Sequence, residues 1–346
     1  MLQYKEWISF ANVVSCISVV ILHTNSCFWR FSYDGYWISA NIIESVFYFA
    51  VPVFFMITGA TLISYRQRMK TKEYFVKRIY KTLIPFIVWS VIAVIYKIAK
   101  GDLHIIDIGK ILVGCIDTSL YDLYWFFPIL FSIYLCIPFI SAVKEENRIN
   151  VFTFTVVVGF FLNNLVPFII DVFKIKMDWP YSIGITMGYF IYPLVGYLIS
   201  EKKLGRHIEL LIIILSFSGL VMSIVGTYIL SYNANRIVET YKGYCNVPCI
   251  LYSVGVFVLL KKWGGVVMKN SYVKRIVEVV SPYTFAIYLM HMYVLKAVRK
   301  IYASVFDISY ISMWFRIGAV PIIIIICIIV IKFIRKIPIL NTIVPR

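Results

Sequence analysis

The stretch SVVILHTN, residues 18–25, sets an imidazole, His23, at the far end of an apolar run that begins near Phe10. An imidazole titrates near neutrality and can act as a general base. At membrane depth, however, an ionisable group costs at least about 2–3 kcal/mol unless it faces the bundle interior or a water-filled cavity. Few other groups of this kind lie in the apolar segments. Glu44 stands in the second, His291 in the ninth (SPYTFAIYLMHMYVL), Asn163 and Asn164 in the fifth, and Arg316 in the tenth.

His23 is about 15 residues into its segment, which at about 1.5 Å per residue puts it in the outer third of a bilayer. Ser9, Asn12 and Cys16 stack below it at helical spacing and form the most polar line on that helix. One face is therefore predicted to point away from lipid. Spacing leaves two readings open: a base facing a cavity, or a packed histidine satisfied by a neighbour. Glu44 arrives at similar depth on the antiparallel second segment, and within reach of the ring it would fix the tautomer and raise the basicity. The same carboxylate could instead sit among headgroups or pair with Arg30. His291 shares a face with Tyr288 and Thr284, and hydrogen bonding between helices is the plainer role for it, for the asparagines and for Arg316. His104 and His207 are loop histidines.

The elements that must position these groups follow from composition. Of 346 residues, 61% are hydrophobic and 15% charged, and the mean hydropathy is +0.85. That is the composition of a membrane protein, with charge confined to short clusters between long apolar stretches. Counting about 20 apolar residues per crossing gives ten predicted spans: 8–27, 37–63, 79–98, 123–143, 151–171, 183–200, 208–231, 245–262, 281–302 and 311–334. The fold class is an all-α integral membrane protein, a single domain over 1–346 with about ten transmembrane helices in one bundle. The connection at 99–122 carries four Asp and reads as an exposed, partly helical flap.

Lys and Arg set the orientation. The N-terminus, alternate connections and C-terminus hold 22 basic residues, against 11 on the other side plus Arg316 within a span. Both termini are predicted to be cytoplasmic. The net charge of +17 would suggest nucleic acid in a soluble protein. Here the basic residues flank apolar spans, where anionic lipid and the positive-inside bias account for them. The seven Cys lie mostly within apolar segments, with no His or Cys companions at metal-ligand spacing, so neither a disulfide framework nor a metal site is expected. The N-terminal segment has no small-residue cleavage site after its apolar core and reads as a retained span. With 26 Tyr, 26 Phe and eight Trp, aromatics exceed the need of interfacial belts and must also line helix contacts or a cavity.

No phosphate loop, serine elbow or HExxH signature occurs. The connection between the second and third spans, RQRMKTKEYFVKRIYK, holds seven basic residues. Arg78 and Lys81 lie three apart on one predicted helical face where the third span enters the membrane. They could hold the phosphates of a soluble anion or simply anchor the helix.

Several stretches together are similar to one family. ISFANVVSCISVVILHTN, VPVFFMITGATL, FVKRIYKTLIPF, LYWFFPILFSIYLCIPFI and SPYTFAIYLMH occur in the order of the acyltransferase-3 family over nearly the whole chain. That family of multi-span membrane acyltransferases includes bacterial O-acetyltransferases acting on surface polysaccharides. The resemblance implies a ten-span fold in the plasma membrane, with acyl-CoA, acetyl-CoA above all, as donor substrate and no bound cofactor. A sugar hydroxyl of a polysaccharide or lipid-linked precursor is the implied acceptor. The resemblance carries the essential histidine onto His23 and a donor-binding basic pair onto Arg78 and Lys81. Trp125, Tyr288 and His291 fall on the implied acceptor side. Where the family usually has Arg eleven residues before the histidine, this chain has Asn12, which keeps the position below His23 without the charge. The alternative reading is a transporter of polysaccharide or lipid-linked sugar, against which stands the lack of an inverted repeat or paired broken spans.

Overall fold

The computed structural model describes residues 2–102, 108–338 and 340–345; His104 and Asp107 of the predicted flap lie outside the described residues. The chain forms α1 (Leu2–Thr24), α2 (Gly35–Phe47), α3 (Ala50–Leu62), α4 (Thr71–Arg78), α5 (Ile84–Ala99), α6 (Ile108–Ile116), α7 (Phe126–Ile140) and α8 (Glu145–Gly159). It continues through α9 (Val166–Val172), α10 (Ile191–Glu201), α11 (Arg206–Ala234), α12 (Val247–Val267), α13 (Ser271–Val280), α14 (Thr284–Val305) and α15 (Met313–Lys336). No strand occurs among the described residues.

Among those residues, eight helical segments are long and apolar enough to cross a membrane: Glu6–Thr24, Gly35–Gln67, Thr71–Ala99, Leu123–Ile140, Glu145–Val172, Arg206–Ala234, Val247–Val267 and Met313–Lys336. The other two predicted spans take different forms. Residues 183–200 make two short 3-10 turns and then α10, whose 11 residues reach only about 16 Å, half a bilayer core. Helix α14 has the length, 22 residues, but Tyr288, His291 and Tyr293 along it and Lys296, Arg299 and Lys300 near its C-terminal end lower its apolarity.

Helix α1 is the hub of the bundle, packing against α2, α3, α12, α13, α14 and α15. Helix α10 buries most of its length against α3 at an unusually close crossing. A Cβ on Gly59 would lie 1.9 Å from the Pro193 carbonyl oxygen, and one on Gly196 would lie 2.0 Å from that of Met56. Small residues let backbones approach in this way where lipid provides no hydrophobic drive between helices.

Three prolines shape the spans, two of them in helices that carry the site. Pro52 has no N–H for the carbonyl of Tyr48, and the second span breaks into α2 and α3 at Tyr48–Phe49. Near the break, the Tyr252 hydroxyl donates to the Val46 carbonyl at 2.8 Å. Pro85 and Pro167 each follow a π turn, Ile79–Leu83 and Phe160–Leu165, a widening that relieves the clash of a proline ring with the preceding turn.

Gly196→Leu should prevent the α3–α10 crossing and abolish accumulation of folded protein in membranes. Gly109→Ala, on α6 with nothing within 4 Å of the added carbon, should leave the level unchanged. Quantifying monodisperse protein after detergent extraction checks both.

Candidate active site

Two cavities lie along α1. The inner one, of about 220 Å³, is walled by Asn12 of α1, Thr58 and Thr61 of α3, Arg78 and Thr82 at the head of the third span, Tyr134 of α7 and Thr284 and Tyr288. The outer one, of about 570 Å³, is walled by His23, Glu44, Tyr48, Trp125, Tyr244 and Tyr288 among others. Between them Cys16, Val20, Phe54, Tyr288 and His291 close up and leave no room for a water molecule. Asn12, Cys16 and His23 therefore thread the inner cavity, the constriction and the outer cavity in turn. Of the polar line predicted on the first span, Asn12, Cys16 and His23 face the interior.

Tyr288 borders both cavities and the constriction. Its hydroxyl donates to the Leu123 carbonyl at 2.6 Å, which fixes the ring across the path. In the outer cavity Tyr48 and Tyr244 stack with centroids 4.1 Å apart and planes at 1°. Trp125 lies against Tyr244 at 5.4 Å and 26°, so three aromatic rings form one wall.

Arg78 faces the inner cavity with its guanidinium 5.5 Å from the Tyr134 ring centroid and 5.9 Å from that of Tyr74. Its buried Nε has no hydrogen-bond partner. The predicted pairing of Arg78 with Lys81 is not formed at this cavity: Lys81 is exposed and does not wall it. The reason is local. Residues 79–83 form a π turn, whose wider coil breaks the three-residue stacking of a regular helix. Thr82, four residues on from Arg78, takes the cavity position instead.

Glu44 is buried and borders the outer cavity, as His23 does, but the predicted contact between them is not made. The Glu44 Oε2 accepts from Asn25 Nδ2 at 3.1 Å. Asn25 Oδ1 in turn accepts from Arg316 Nη1 at 3.3 Å, and Arg316 Nη2 donates to Ser39 Oγ at 2.9 Å. Arg30 donates to the Tyr310 hydroxyl at 3.1 Å, so it is not the partner of Glu44.

A further cation completes this network. Lys242, in the loop between α11 and α12, is fully buried. Its ammonium donates to Ser45 Oγ at 2.7 Å and to Asn41 Oδ1 at 3.4 Å, and lies 4.6 Å from the Phe28 ring centroid. Burial pushes Lys242 below the usual lysine range, and the Glu44 charge opposes that push. Sequence reading passed over Lys242 because hydropathy counts a loop lysine as solvated. The only trace lies in its surroundings, TYKGYCN, where aromatics flank it on both sides.

The helical protein thus holds an arginine-bearing pocket beside the middle of its hub helix and a histidine-bearing, aromatic-walled pocket at that helix's C-terminal end. The chain matches the acyltransferase domain model of the acyltransferase-3 family over residues 5–332 and belongs to that family. It is a membrane acyltransferase. No curated protein and no solved structure matches it.

Removing one member of a buried charge network strands the others at a cost of about 3–5 kcal/mol. Lys242→Met should therefore lower the unfolding midpoint in detergent clearly, and adding Glu44→Gln to it should restore part of the loss. Thermal unfolding of the single and double variants measures this coupling.

Proposed function

We propose that the protein is an O-acetyltransferase of the plasma membrane. It moves an acetyl or other short acyl group from cytoplasmic acyl-CoA to a sugar hydroxyl of a cell-surface polysaccharide or its lipid-linked precursor. In this reading the chain has ten membrane segments, with α10 and α14 completing the eight long apolar ones, and both termini are cytoplasmic. The observation that carries it is the pair of cavities meeting at Tyr288, one with Arg78 and one with His23.

The inner cavity adjoins the basic connection between the second and third spans, the side where positive charge gathers in cytoplasmic loops. An unpartnered Arg78 N–H suits a phosphate oxygen, and the threonines around it supply neutral hydroxyls for the pantetheine amides. Asn12 on the same wall adds an amide where the family usually has a charge. In the outer cavity the Trp125–Tyr244–Tyr48 wall offers flat faces for the C–H surface of a sugar ring. His23 then takes the proton of the attacking hydroxyl as its oxygen bonds to the thioester carbonyl carbon. The C–S bond breaks, and the leaving thiolate receives the proton back from the imidazolium. The closed constriction keeps water from the thioester until the two substrates meet.

His23→Ala should abolish transfer from radiolabelled acetyl-CoA to cell-envelope glycan in inverted membrane vesicles while the protein stays abundant. Near-normal transfer would remove His23 as the base. Cells lacking the protein should keep surface glycan that is present but unacetylated, and loss of the glycan itself would count against acetyl transfer to it.

Arg78→Ala should raise the KM for acetyl-CoA about tenfold or more with a smaller change in kcat, the mark of a lost ground-state contact. Asn12→Arg should leave the protein folded, since its position opens on a cavity. Donor titration in the same vesicles, with a measure of inserted protein, checks both.

A further inference from the structure

His291 is fully buried in α14, and its two ring nitrogens stand in different situations. Nδ1 lies 3.0 Å from the Ile287 carbonyl oxygen and 2.9 Å from that of Tyr288. Carbonyl oxygens only accept, so Nδ1 carries the proton and Nε2 is a bare acceptor. That Nε2 is buried and has no hydrogen-bond partner. Leaving such a group unsatisfied costs about 1–3 kcal/mol, and native structures rarely do so without reason.

The candidate donors around it are nearly all engaged. The Tyr288 hydroxyl is spent on the Leu123 carbonyl, and the Cys16 thiol points to the Thr284 carbonyl at 3.7 Å. The exception is His23, whose ring centroid lies 5.1 Å from that of His291 with the planes tilted by 48°. Two imidazoles joined by an N–H···N bond of about 2.9 Å have centroids about 5 Å apart, once about 1.1 Å from each nitrogen to its ring centre is added. The separation leaves room for such a bond, which the structure does not itself make. Hydrogen bonds among catalytic groups commonly tighten when substrate binds.

We propose that His291 is the positioning residue of His23: its bare Nε2 accepts the His23 ring N–H and holds the opposite His23 nitrogen unprotonated toward the outer cavity. His291 thus fills the place that sequence reading gave to Glu44, whose carboxylate is held by Asn25. A neutral acceptor fixed by α14 selects one tautomer of the base, and it adds no second negative charge beside an attacking oxygen.

This inference rests on the acyl-transfer reading, and the test separates the two. In His291→Gln the amide oxygen falls near the position of Nε2, whereas in His291→Asn the shorter amide reaches only the position of Nδ1. A positioning role predicts that the Gln variant keeps kcat within about tenfold of the parent. It predicts that the Asn variant loses about 10²–10³-fold in kcat, with the KM for acetyl-CoA nearly unchanged. Equal activity of the two, or an Asn variant more active than Gln, would mean that His291 merely packs, and would overturn the proposal. His23→Ala is assayed beside them. Its loss of transfer with equal Asn and Gln variants removes only the role of His291, its retention of transfer removes His23 as the base and His291 with it, and absence of transfer by the parent protein removes the acyl-transfer reading itself. Should neither His291 variant accumulate, nitrogen-15 spectra of the histidine-labelled parent protein decide, with only four histidines to assign. A neutral His291 protonated at Nδ1 and hydrogen-bonded at Nε2 supports the proposal, and a proton on Nε2 overturns it.

Discussion

Helix α1 packs against six neighbours, and that enclosure governs where the polar groups along it can go. A helix at the rim of a membrane bundle can turn one face to lipid and need satisfy nothing there. A helix at the hub has no such face, so its polar side chains are steered to partners or cavities, with the buried and unpartnered Ser15 hydroxyl the exception. Asn12, Cys16 and His23 do this in sequence, and the two cavities are spaces into which they open. The close α3–α10 crossing at Gly59 and Gly196 belongs to the same economy of space, since it seats α10 beside α3 without pushing α3 away from the hub.

At the C-terminal end of the hub the governing physics is charge in a low dielectric. Glu44, Lys242 and Arg316 are all buried, and none is matched by a simple ion pair at contact distance. Asn25, Asn41, Ser39 and Ser45 stand between and beside them, so each charge is solvated by fixed side-chain dipoles. Such networks hold geometry well when complete and poorly when a member is missing. Because Glu44 borders the outer cavity, a set of electrostatic contacts from α1, α2, α15 and the 235–246 loop converges on one wall of the site.

Much of this was legible in residue order. The all-helical membrane class, the polar line on the first span and the family followed from periodicity, composition and a succession of short motifs. Other features depended on departures from regular helix geometry that spacing arguments assume away. Arg78 and Lys81 are helical neighbours only if the helix is α, and the π turn before Pro85 parts them. Residues 183–200 are apolar enough for a span, yet glycine and proline leave α10 at half length and buried. Glu44 and His23 do reach the same cavity, but depth along two antiparallel helices says nothing about which neighbour claims the carboxylate. Asn25, two residues past His23 and within the same short stretch, is that neighbour. Lys242 was hidden by the rule that loops are wet.

Tyr288 gives the two cavities a common wall, and this has a thermodynamic meaning independent of the chemistry. Any occupant of the inner cavity that shifts the ring changes the shape of the outer one, and the reverse holds with the same free energy, since coupling between two sites through one element is reciprocal. The hydrogen bond from Tyr288 to Leu123 sets the stiffness of that element, and Leu123 lies in the short turn leading into α7 beside Trp125. A single phenol thus ties the shapes of the two pockets it borders to one another, as a partition does for two rooms that share it.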